Sequence, residues 1–281
     1  MVRRSAQGVR AQIMYRRSIV TFLDILGFRD IVRTTAAREI LRHLRVFQNA
    51  NRMIGEGFPK YTSAAPRVLQ FSDSIVRVRP LELGESRVHT LTFLGELGDL
   101  ARAQLAMIER GVVLRGAVTI GDVFVSRNGV FGPAFVRAYE LETGLAKYPR
   151  IILDTVFLDA LTAFGAADQD DGIRHDKLAM HWLSYGEDGV PWLDYFSWLV
   201  SMEWDSDSVL NYFIKHRDLI LRNRPELAAL DTVSAKYLWL AKYHNQSLLK
   251  LSKQHGEALL FDYTPLLIGN AEFPLFAQGA H

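Results

Sequence analysis

Two acidic residues interrupt apolar, strand-forming stretches of this chain, Asp24 within residues 19–28 and Asp73 within residues 70–76. A lone carboxylate buried among such residues is costly, and a positive partner, often a metal ion, offsets that cost. Two of them predict a shared site for divalent cations, and hard oxygen ligands suit Mg²⁺ or Mn²⁺. Taken alone, either aspartate is more typical of a residue that stabilises a turn or caps a helix.

The composition excludes several classes of protein. With 281 residues, 49% of them hydrophobic and 23% charged, the chain is typical of a globular protein with one large domain or one domain and an appendage. It has no cysteine, which excludes disulfides and favours a cytoplasmic location. The net charge of +2 is too small to predict a nucleic acid as partner. The apolar stretch at 19–28 is too short to cross a membrane, so no membrane partner is expected.

The first 17 residues predict a basic N-terminal arm. Five basic residues and no acidic residue precede Asp24, and the segment lacks the apolar core of a signal peptide. Such an arm is typically solvated, and a role in binding phosphate or a partner is the alternative. The five residues are Arg3, Arg4, Arg10, Arg16 and Arg17.

The elements that must position the two aspartates follow from periodicity and turn residues. We expect, in order, a strand at 18–24, a helix at 29–54, strands at 67–71 and 75–79, a helix at 87–110, a hairpin of 112–120 and 123–126, a helix from 133 to about 147 and a strand at 151–153. Gly121 and Asp122 predict the turn of the second hairpin. This order predicts an α/β (α+β) fold of ferredoxin-like type, in which Asp24 and Asp73 meet.

The character of the chain changes after residue 165. We therefore expect a catalytic domain at 18–165 and, at 166–281, a hairpin around Gly186–Gly189 followed by two helices that end near residues 223 and 254. This C-terminal part is interpreted as a mostly helical appendage. A dimerisation arm or a regulatory lid is the alternative.

Four motifs resemble those of class III nucleotidyl cyclases. The run Phe22-Leu-Asp24-Ile25-Leu-Gly27-Phe28 resembles the first metal motif of that family, and Asp73 stands at the second metal position. Leu114-Arg115-Gly-Ala-Val118-Thr-Ile-Gly121 and the helix-opening Gly132 match two further motifs, so the resemblance covers residues 18–154. It implies a ferredoxin-like cyclase core.

The resemblance implies a reaction and a site. Two divalent ions lie between Asp24 and Asp73 and face the Ile25 carbonyl, and the 3′-hydroxyl of a ribonucleoside triphosphate attacks the α-phosphate and releases diphosphate. The resemblance also implies a homodimer with interfacial active sites, which Arg137 can reach as a catalytic cation. Candidate substrate-binding residues are Phe22, Gly27, Phe28, Arg115, Arg127 and Arg150. For the arginines the alternatives are a structural ion pair, a solvated loop or a helix-end charge.

Departures from the family pattern indicate the substrate. Leu69 and Gly129 stand where purine cyclases select their base, and neither side chain can pair with a polar base edge. The segment 132–142 resembles the pyrimidine cyclases of bacterial antiphage (Pycsar) systems, which implies synthesis of cyclic UMP, or alternatively cyclic CMP, as a second messenger in antiphage defence. The aromatic residues considered as base selectors are Phe47, Phe58 and Tyr61.

Two positions leave other functions open. Val136 and Glu140 stand where the family has its transition-state Asn and Arg. A degenerate, nucleotide-binding signalling module is therefore an alternative to an enzyme, and a purine cyclase with unusual recognition is another. The two retained aspartates favour the enzyme, because a module that only binds nucleotide has little need of two metal ligands.

Overall fold

The computed structural model of this protein describes residues 14–52, 65–81, 86–167, 175–202, 205–223, 232–255 and 262–273. Most of the predicted basic arm, together with Phe58 and Tyr61, lies outside these ranges. Within them, no helix is both long enough and apolar enough to cross a membrane.

The first half of the chain alternates strands and helices as the sequence predicts. Its elements are β1 (Arg16–Ile25), α1 (Phe28–Thr34), α2 (Ala37–Arg52), β2 (Arg67–Phe71), β3 (Ser74–Pro80), α3 (Ser86–Ile108), β4 (Leu114–Val125), β5 (Val130–Phe131), α4 (Pro133–Gly144) and β6 (Ile151–Leu153). The second half contributes α5 (Thr155–Ala167), α6 (His175–His181), β7 (Leu183–Tyr185), β8 (Pro191–Leu193), α7 (Tyr195–Ser201), α8 (Ser206–Arg222), α9 (Thr232–His255) and a short 3₁₀ helix (Thr264–Leu266).

One mixed sheet forms the centre of the molecule, with strand order β2-β3-β1-β4-β6-β8-β7 and β5 paired to β4. Only β4 and β6 run parallel among these neighbours. The sheet and its helices confirm the predicted mixed α/β fold. The register places Asp24 opposite Ser74 of β3 and Arg115 of β4.

The two faces of the sheet bury different sets of side chains, because successive residues of a strand point to opposite sides. Ile19, Leu23 and Ile25 of β1 join the large core that includes α3. Val20 and Phe22 join a smaller cluster with α4. The same alternation places Asp24 on the α4 face.

The α3 face of the sheet also buries charge. Glu96 of α3 accepts hydrogen bonds from Arg77 Nε (2.9 Å) and Arg79 Nε (2.7 Å) of β3, and from Thr21 Oγ1 (3.0 Å). Asp99 accepts from the same two arginines. All four charged side chains are at most 2% exposed, so the pairs tie β3 to α3 in an interior that water does not reach.

Two predicted elements were wrong. The predicted helix at 29–54 is two helices, because Thr35 is extended (φ −118°, ψ 142°) and its N–H closes α1 on the Ile31 carbonyl. The predicted turn at Gly121 and Asp122 lies instead inside the continuous strand β4, and the chain turns at residues 126–129. A side chain at position 121 would crowd α4, since its Cβ would lie 3.2 Å from Ala134 Cβ. The glycine therefore allows β4 and α4 to pack closely.

The C-terminal hairpin and helices continue the same core. The β7–β8 hairpin turns around Gly186–Gly189 as predicted, and Trp192 of β8 pairs with Ile152 of β6, so the hairpin extends the central sheet. Trp182 and Phe213 belong to the same buried cluster as β1 and β4. The domain boundary after residue 165 remains a prediction.

Candidate active site

The structure brings Asp24 and Asp73 to the same edge of the sheet. Asp24 is the penultimate residue of β1, and Asp73 lies in the tight turn between β2 and β3, beside Ser72 with its positive φ of 56°. The Ile25 N–H donates to the Asp73 carbonyl at 3.2 Å, which ties the end of β1 to that turn. A short turn and a fixed strand register therefore position both carboxylates.

Asp24 has polar partners on both neighbouring strands. Its Oδ1 accepts a hydrogen bond from Ser74 Oγ at 3.2 Å. Its Oδ2 accepts two long hydrogen bonds from Arg115, at 3.4 Å from Nε and 3.3 Å from Nη2. Arg115, a predicted substrate-binding residue, is thus a partner of the predicted metal ligand in this structure.

A third carboxylate belongs to the site, and the sequence interpretation had not assigned it. Glu142 of α4 is 2% exposed, and its Oε1 lies 2.8 Å from Arg115 Nε as an ion pair without hydrogen-bond alignment. The buried face of α4 carries Ala134, Ala138 and Leu141. Because Glu142 lies four residues after Ala138, helical spacing alone marks it as an inward-facing acid.

The site carries an excess of negative charge. Burial raises the pKa of Asp24, and the nearby charge of Asp73 raises it further, while Arg115 and Ser74 oppose this. Burial likewise raises the pKa of Glu142, which Arg115 lowers and the two aspartates raise. The guanidinium of Arg115 therefore does not balance the three carboxylates around it.

These residues fit a divalent cation. A cation would favour the ionised form of carboxylates whose pKa the local environment raises, and carboxylate and carbonyl oxygens are the ligands that Mg²⁺ and Mn²⁺ prefer. The Ile25 side chain is buried, so only its backbone carbonyl could serve as a ligand. Among the described residues, no group of three or more His, Cys, Asp or Glu side chains has a metal-binding arrangement. The fit therefore rests on Asp24, Asp73 and the backbone.

The remaining residues of the first motif lie close to Asp24 in the chain. Gly27 has a φ of 75°, a left-handed conformation that glycine adopts without steric cost. Its carbonyl accepts hydrogen bonds from the N–H groups of Asp30 and Ile31 of α1. Phe28 begins α1 and packs against the main core. Phe22 packs under α4 and meets Tyr139 edge to face, with ring centroids 5.5 Å apart. Substrate binding by Phe22, Gly27 and Phe28 remains a prediction.

The predicted catalytic Arg137 does not meet the two aspartates within one chain. Its Nε and Nη2 donate to the two carboxylate oxygens of Asp154, each at 3.0 Å, and Thr119 Oγ1 donates to the same carboxylate at 2.7 Å. Thr119 is four residues along β4 from Arg115, about 13 Å at strand spacing. Hydrogen bonds from Arg137 and Thr119 outweigh burial and lower the pKa of Asp154, so this pair is ionised.

Arg127 and Arg150 also lie away from the two aspartates. Arg127 is exposed in the turn after β4, and the end of that strand at Val125 is already about 33 Å from Arg115 at strand spacing. The Arg150 carbonyl accepts from the Gly116 N–H at 3.1 Å, but its side chain is fully buried and pairs with Asp188 of the β7–β8 hairpin. Phe47, one of the three aromatic candidates for base selection, is completely buried in the main core.

No protein-family model and no curated protein sequence matches this chain. Among solved structures, it is similar to a class III adenylyl cyclase-like ATP-binding protein from Pseudomonas aeruginosa, with 13% identity and a TM-score of 0.43. That alignment covers 67% of this chain and 40% of the other, so this chain spans less than half of that protein.

Two guanylyl cyclase structures are also similar. The monomeric guanylyl cyclase domain of the RhoGC fusion protein from the aquatic fungus Blastocladiella emersonii has 12% identity and a TM-score of 0.37, over 64% of this chain and 95% of that domain. The catalytic core of a rhodopsin-guanylyl cyclase with converted specificity, in complex with ATPalphaS, has 14% identity and a TM-score of 0.32, over 52% and 81%. All three TM-scores are below 0.5, so the similarity carries no weight for function.

Proposed function

We propose that this protein is a metal-dependent nucleotidyl cyclase that converts UTP to 3′,5′-cyclic UMP and diphosphate. The observation that carries the proposal is the meeting of Asp24 and Asp73 at one sheet edge, with an excess of carboxylates around a single arginine. Paired carboxylates that hold divalent cations are the usual basis of phosphoryl transfer of this kind. Cytidylate cyclase activity is the alternative for the substrate.

Each residue of the site has a role in this proposal. Asp24, Asp73 and the Ile25 carbonyl hold Mn²⁺ or Mg²⁺, which when bound supplies positive charge for the triphosphate and favours ionisation of the attacking hydroxyl. Arg115 contacts both Asp24 and Glu142, so it keeps the strand and helix carboxylates in fixed positions. Arg137 remains a proposed catalytic cation that acts across a dimer.

The choice of a pyrimidine rests on the absence of polar side chains at two positions. Leu69 lies on β2 and Gly129 in the turn between β4 and β5. A site that discriminates purine bases through their polar edges needs hydrogen-bonding side chains, and these two positions supply none. The role in antiphage defence rests on the resemblance of segment 132–142 alone.

An exposed apolar surface supports the proposed homodimer. Exposed apolar residues that cluster on one face are typical of a protein interface. Five large side chains on or beside α4 are 46–53% exposed, and Arg137, 51% exposed, lies on the same helix. Four of them form what we call the α4 surface: Val136 and Tyr139, which helical spacing places on one side of α4, and Tyr15 and Phe131, whose rings are in contact. The fifth, Leu145, follows α4 on another side of the helix.

The test is to incubate the purified chain with Mn²⁺ and each of the four ribonucleoside triphosphates separately, and to identify products by chromatography and mass spectrometry. Cyclic UMP is expected, and cyclic CMP in its place would establish the alternative substrate. Cyclic AMP or cyclic GMP would contradict the argument from Leu69 and Gly129.

Matched variants show whether the two aspartates are responsible. Asp24→Asn and Asp73→Asn are each expected to lower turnover by about 100-fold or more, since each removes a charge that holds the cation. Asp159→Asn, at an exposed carboxylate on α5, is the control and should retain full activity. Full activity of the Asp73→Asn variant would refute the metal site.

A second candidate function is a nucleotide-binding module without catalysis. Val136 is 50% exposed and apolar, so it cannot replace the transition-state Asn of the family. Tight binding of a nucleoside triphosphate, measured by calorimetry, without any product in the assay above would favour this candidate.

A further inference from the structure

A cavity of about 540 Å³ lies between the β7–β8 hairpin, the segment that joins α4 to β6, and α9. Its volume is within the range of sites for small molecules. Seven of its lining residues combine cations, aromatic rings and two carboxylates: Lys147, Tyr148, Arg150, Glu187, Asp188, Trp239 and Lys242.

Arg150 is the unusual residue of this cavity. Its side chain is fully buried, and Nη2 pairs with Asp188. In the part of the chain that the structure describes, Nε and Nη1 have no hydrogen-bond partner, and neither has the buried indole Nε1 of Trp192 in the same cavity wall. Because unpaired buried donors are costly, and more so on a charged group, an acceptor is missing from this site.

The wall of the cavity is flat and aromatic. Tyr148 and Trp239 are stacked, with ring centroids 5.7 Å apart and planes 11° from parallel. The guanidinium carbon of Arg150 lies 5.5 Å from the Tyr148 centroid and 6.0 Å from that of Trp239. Both rings are only partly buried, so they also offer apolar surface to a ligand.

Two lysines at the mouth of the cavity also favour an anionic ligand. Lys147 and Lys242 are exposed there, on two different elements. The Asp188 carboxylate pairs with one edge of the Arg150 guanidinium. Partial burial raises the pKa of this carboxyl, but Arg150 lowers it by more, so Asp188 is ionised. The cavity therefore has three cations, Lys147, Arg150 and Lys242, and two carboxylates, Glu187 and Asp188, of which Asp188 competes with an anion for Arg150.

We propose that this cavity binds a small organic anion, a phosphate or carboxylate that carries a planar ring. The anionic group pairs with Arg150 and the two lysines, and the ring lies against Tyr148 and Trp239. The lining of this cavity includes no residue of the carboxylate cluster around Asp24, and the proposal does not depend on the cyclase activity.

The experiment titrates the full chain, without added metal, with phenyl phosphate, benzoate, inorganic phosphate and phenol, by calorimetry and by the fluorescence of its tryptophans. Phenyl phosphate or benzoate is expected to bind at least about tenfold more tightly than inorganic phosphate or phenol, because only these two join charge and ring. The tighter of the two identifies the anionic group.

Three variants locate the binding. Lys242→Ala is expected to weaken it about two- to fivefold, the range for one exposed ion pair. Asp188→Asn should tighten it, because the competing carboxylate is removed. Arg150→Gln should abolish it. Because Arg150→Gln and Asp188→Asn both alter the ion pair of a buried guanidinium and can fail to fold, Lys242→Ala carries the test. Arg127→Gln, in an exposed turn outside the cavity, is the control.

Three results would overturn the proposal. The first is no binding of any probe below about 10 mM. The second is equal affinity for inorganic phosphate and phenyl phosphate, which would show that the ring does not contribute to binding. The third is loss of binding in Arg115→Gln with normal binding in Lys242→Ala and Asp188→Asn, which would place the ligand at the candidate active site.

Discussion

Replacing Glu96 with glutamine removes the central charge of the network that joins β3 to α3. Its carboxylate is 1% exposed and accepts from Thr21, from Arg77 through two nitrogens and from Arg79. Glutamine keeps the shape, but its amide group directs donors at arginines that are donors themselves. Two fully buried guanidinium groups then share the charge of Asp99.

The magnitude follows from burial. Removing one partner of a buried ion pair costs about 3–5 kcal/mol, because the other charge remains in a medium of low dielectric constant. Because the unfolding entropy of a chain of this size is large, each kcal/mol shifts Tm by only about 2–4 °C, and the cost corresponds to a loss of roughly 10 °C in Tm. The same substitution at Glu109, 34% exposed and 2.5 Å from Lys215 Nζ, is expected to cost less than about 1 kcal/mol.

The effect should also depend on pH with a definite sign. Burial alone would raise the pKa of Glu96, but the charges and hydrogen bonds of Arg77 and Arg79 prevail and hold it well below its ordinary value of 4.5. A lowered pKa in the folded state gives stability that is fully present above pH 4.5 and is lost as the pH falls through the folded value. Each pH unit below 4.5 removes about 1.4 kcal/mol of it.

Urea denaturation at pH 7 and pH 3.5 measures both effects for the parent protein, Glu96→Gln and Glu109→Gln. The difference between the parent and Glu96→Gln should shrink by about 1.4 kcal/mol at the lower pH. A cost for Glu96→Gln no larger than that of Glu109→Gln would refute the reasoning, and so would a difference that does not change with pH.

Two further predictions concern the candidate site and the proposed dimer. Replacing Arg115 with glutamine leaves Asp24 and Glu142 without their shared cation. Thermal denaturation should therefore show that the free energy of unfolding falls by about 2–3 kcal/mol. Mn²⁺ should restore part of it, and an equal loss with and without Mn²⁺ would contradict the excess of negative charge. Tyr139→Glu places a charge on the α4 surface, so sedimentation should show dissociation to monomers. Tyr185→Glu, at an exposed tyrosine of the β7–β8 hairpin, should leave the oligomeric state unchanged.

The meeting of Asp24 and Asp73 could be predicted because local signals determine it. The β-branched and aromatic residues of 18–24 predict a strand, and Ser72 with Asp73 predicts a tight turn. Once both elements belong to one antiparallel sheet, the strand end and the turn lie side by side. Nothing beyond local pattern and fold class was needed for this part of the site.

Other features depend on tertiary packing and could not be predicted from local pattern. Gly121 and Asp122 are typical hairpin residues, yet they continue β4 in register with Ser18 and Arg17 of β1, and the glycine lies where α4 packs closely on the strand. Arg77 and Arg79 alternate with valines and resemble the solvent-facing side of a strand. They are buried because α3 covers that side with acids, and the identity of the covering helix is a global property.

The two buried charge clusters on opposite faces of the sheet differ in how many cations pair with their carboxylates. This difference distinguishes a structural cluster from a candidate functional site. On the α3 face, Arg77 and Arg79 meet Glu96 and Asp99, and the partly exposed Arg102 also donates to Asp99 at 2.9 Å, so three cations surround two anions and each carboxylate oxygen that pairs there has a donor within 3.2 Å. Such a cluster is complete without any ligand.

On the α4 face, Arg115 pairs with Asp24 and Glu142, and burial together with the nearby charge of Asp73 raises the pKa values of both carboxyl groups. A protein that needed only stability would not retain this arrangement, because a neutral residue in place of either acid would relieve the repulsion. Perturbed acids of this kind concentrate at functional sites, where a bound cation supplies the missing charge. The imbalance therefore favours the α4 face, and not the more extensively paired α3 face, as the candidate functional site of the proposed enzyme.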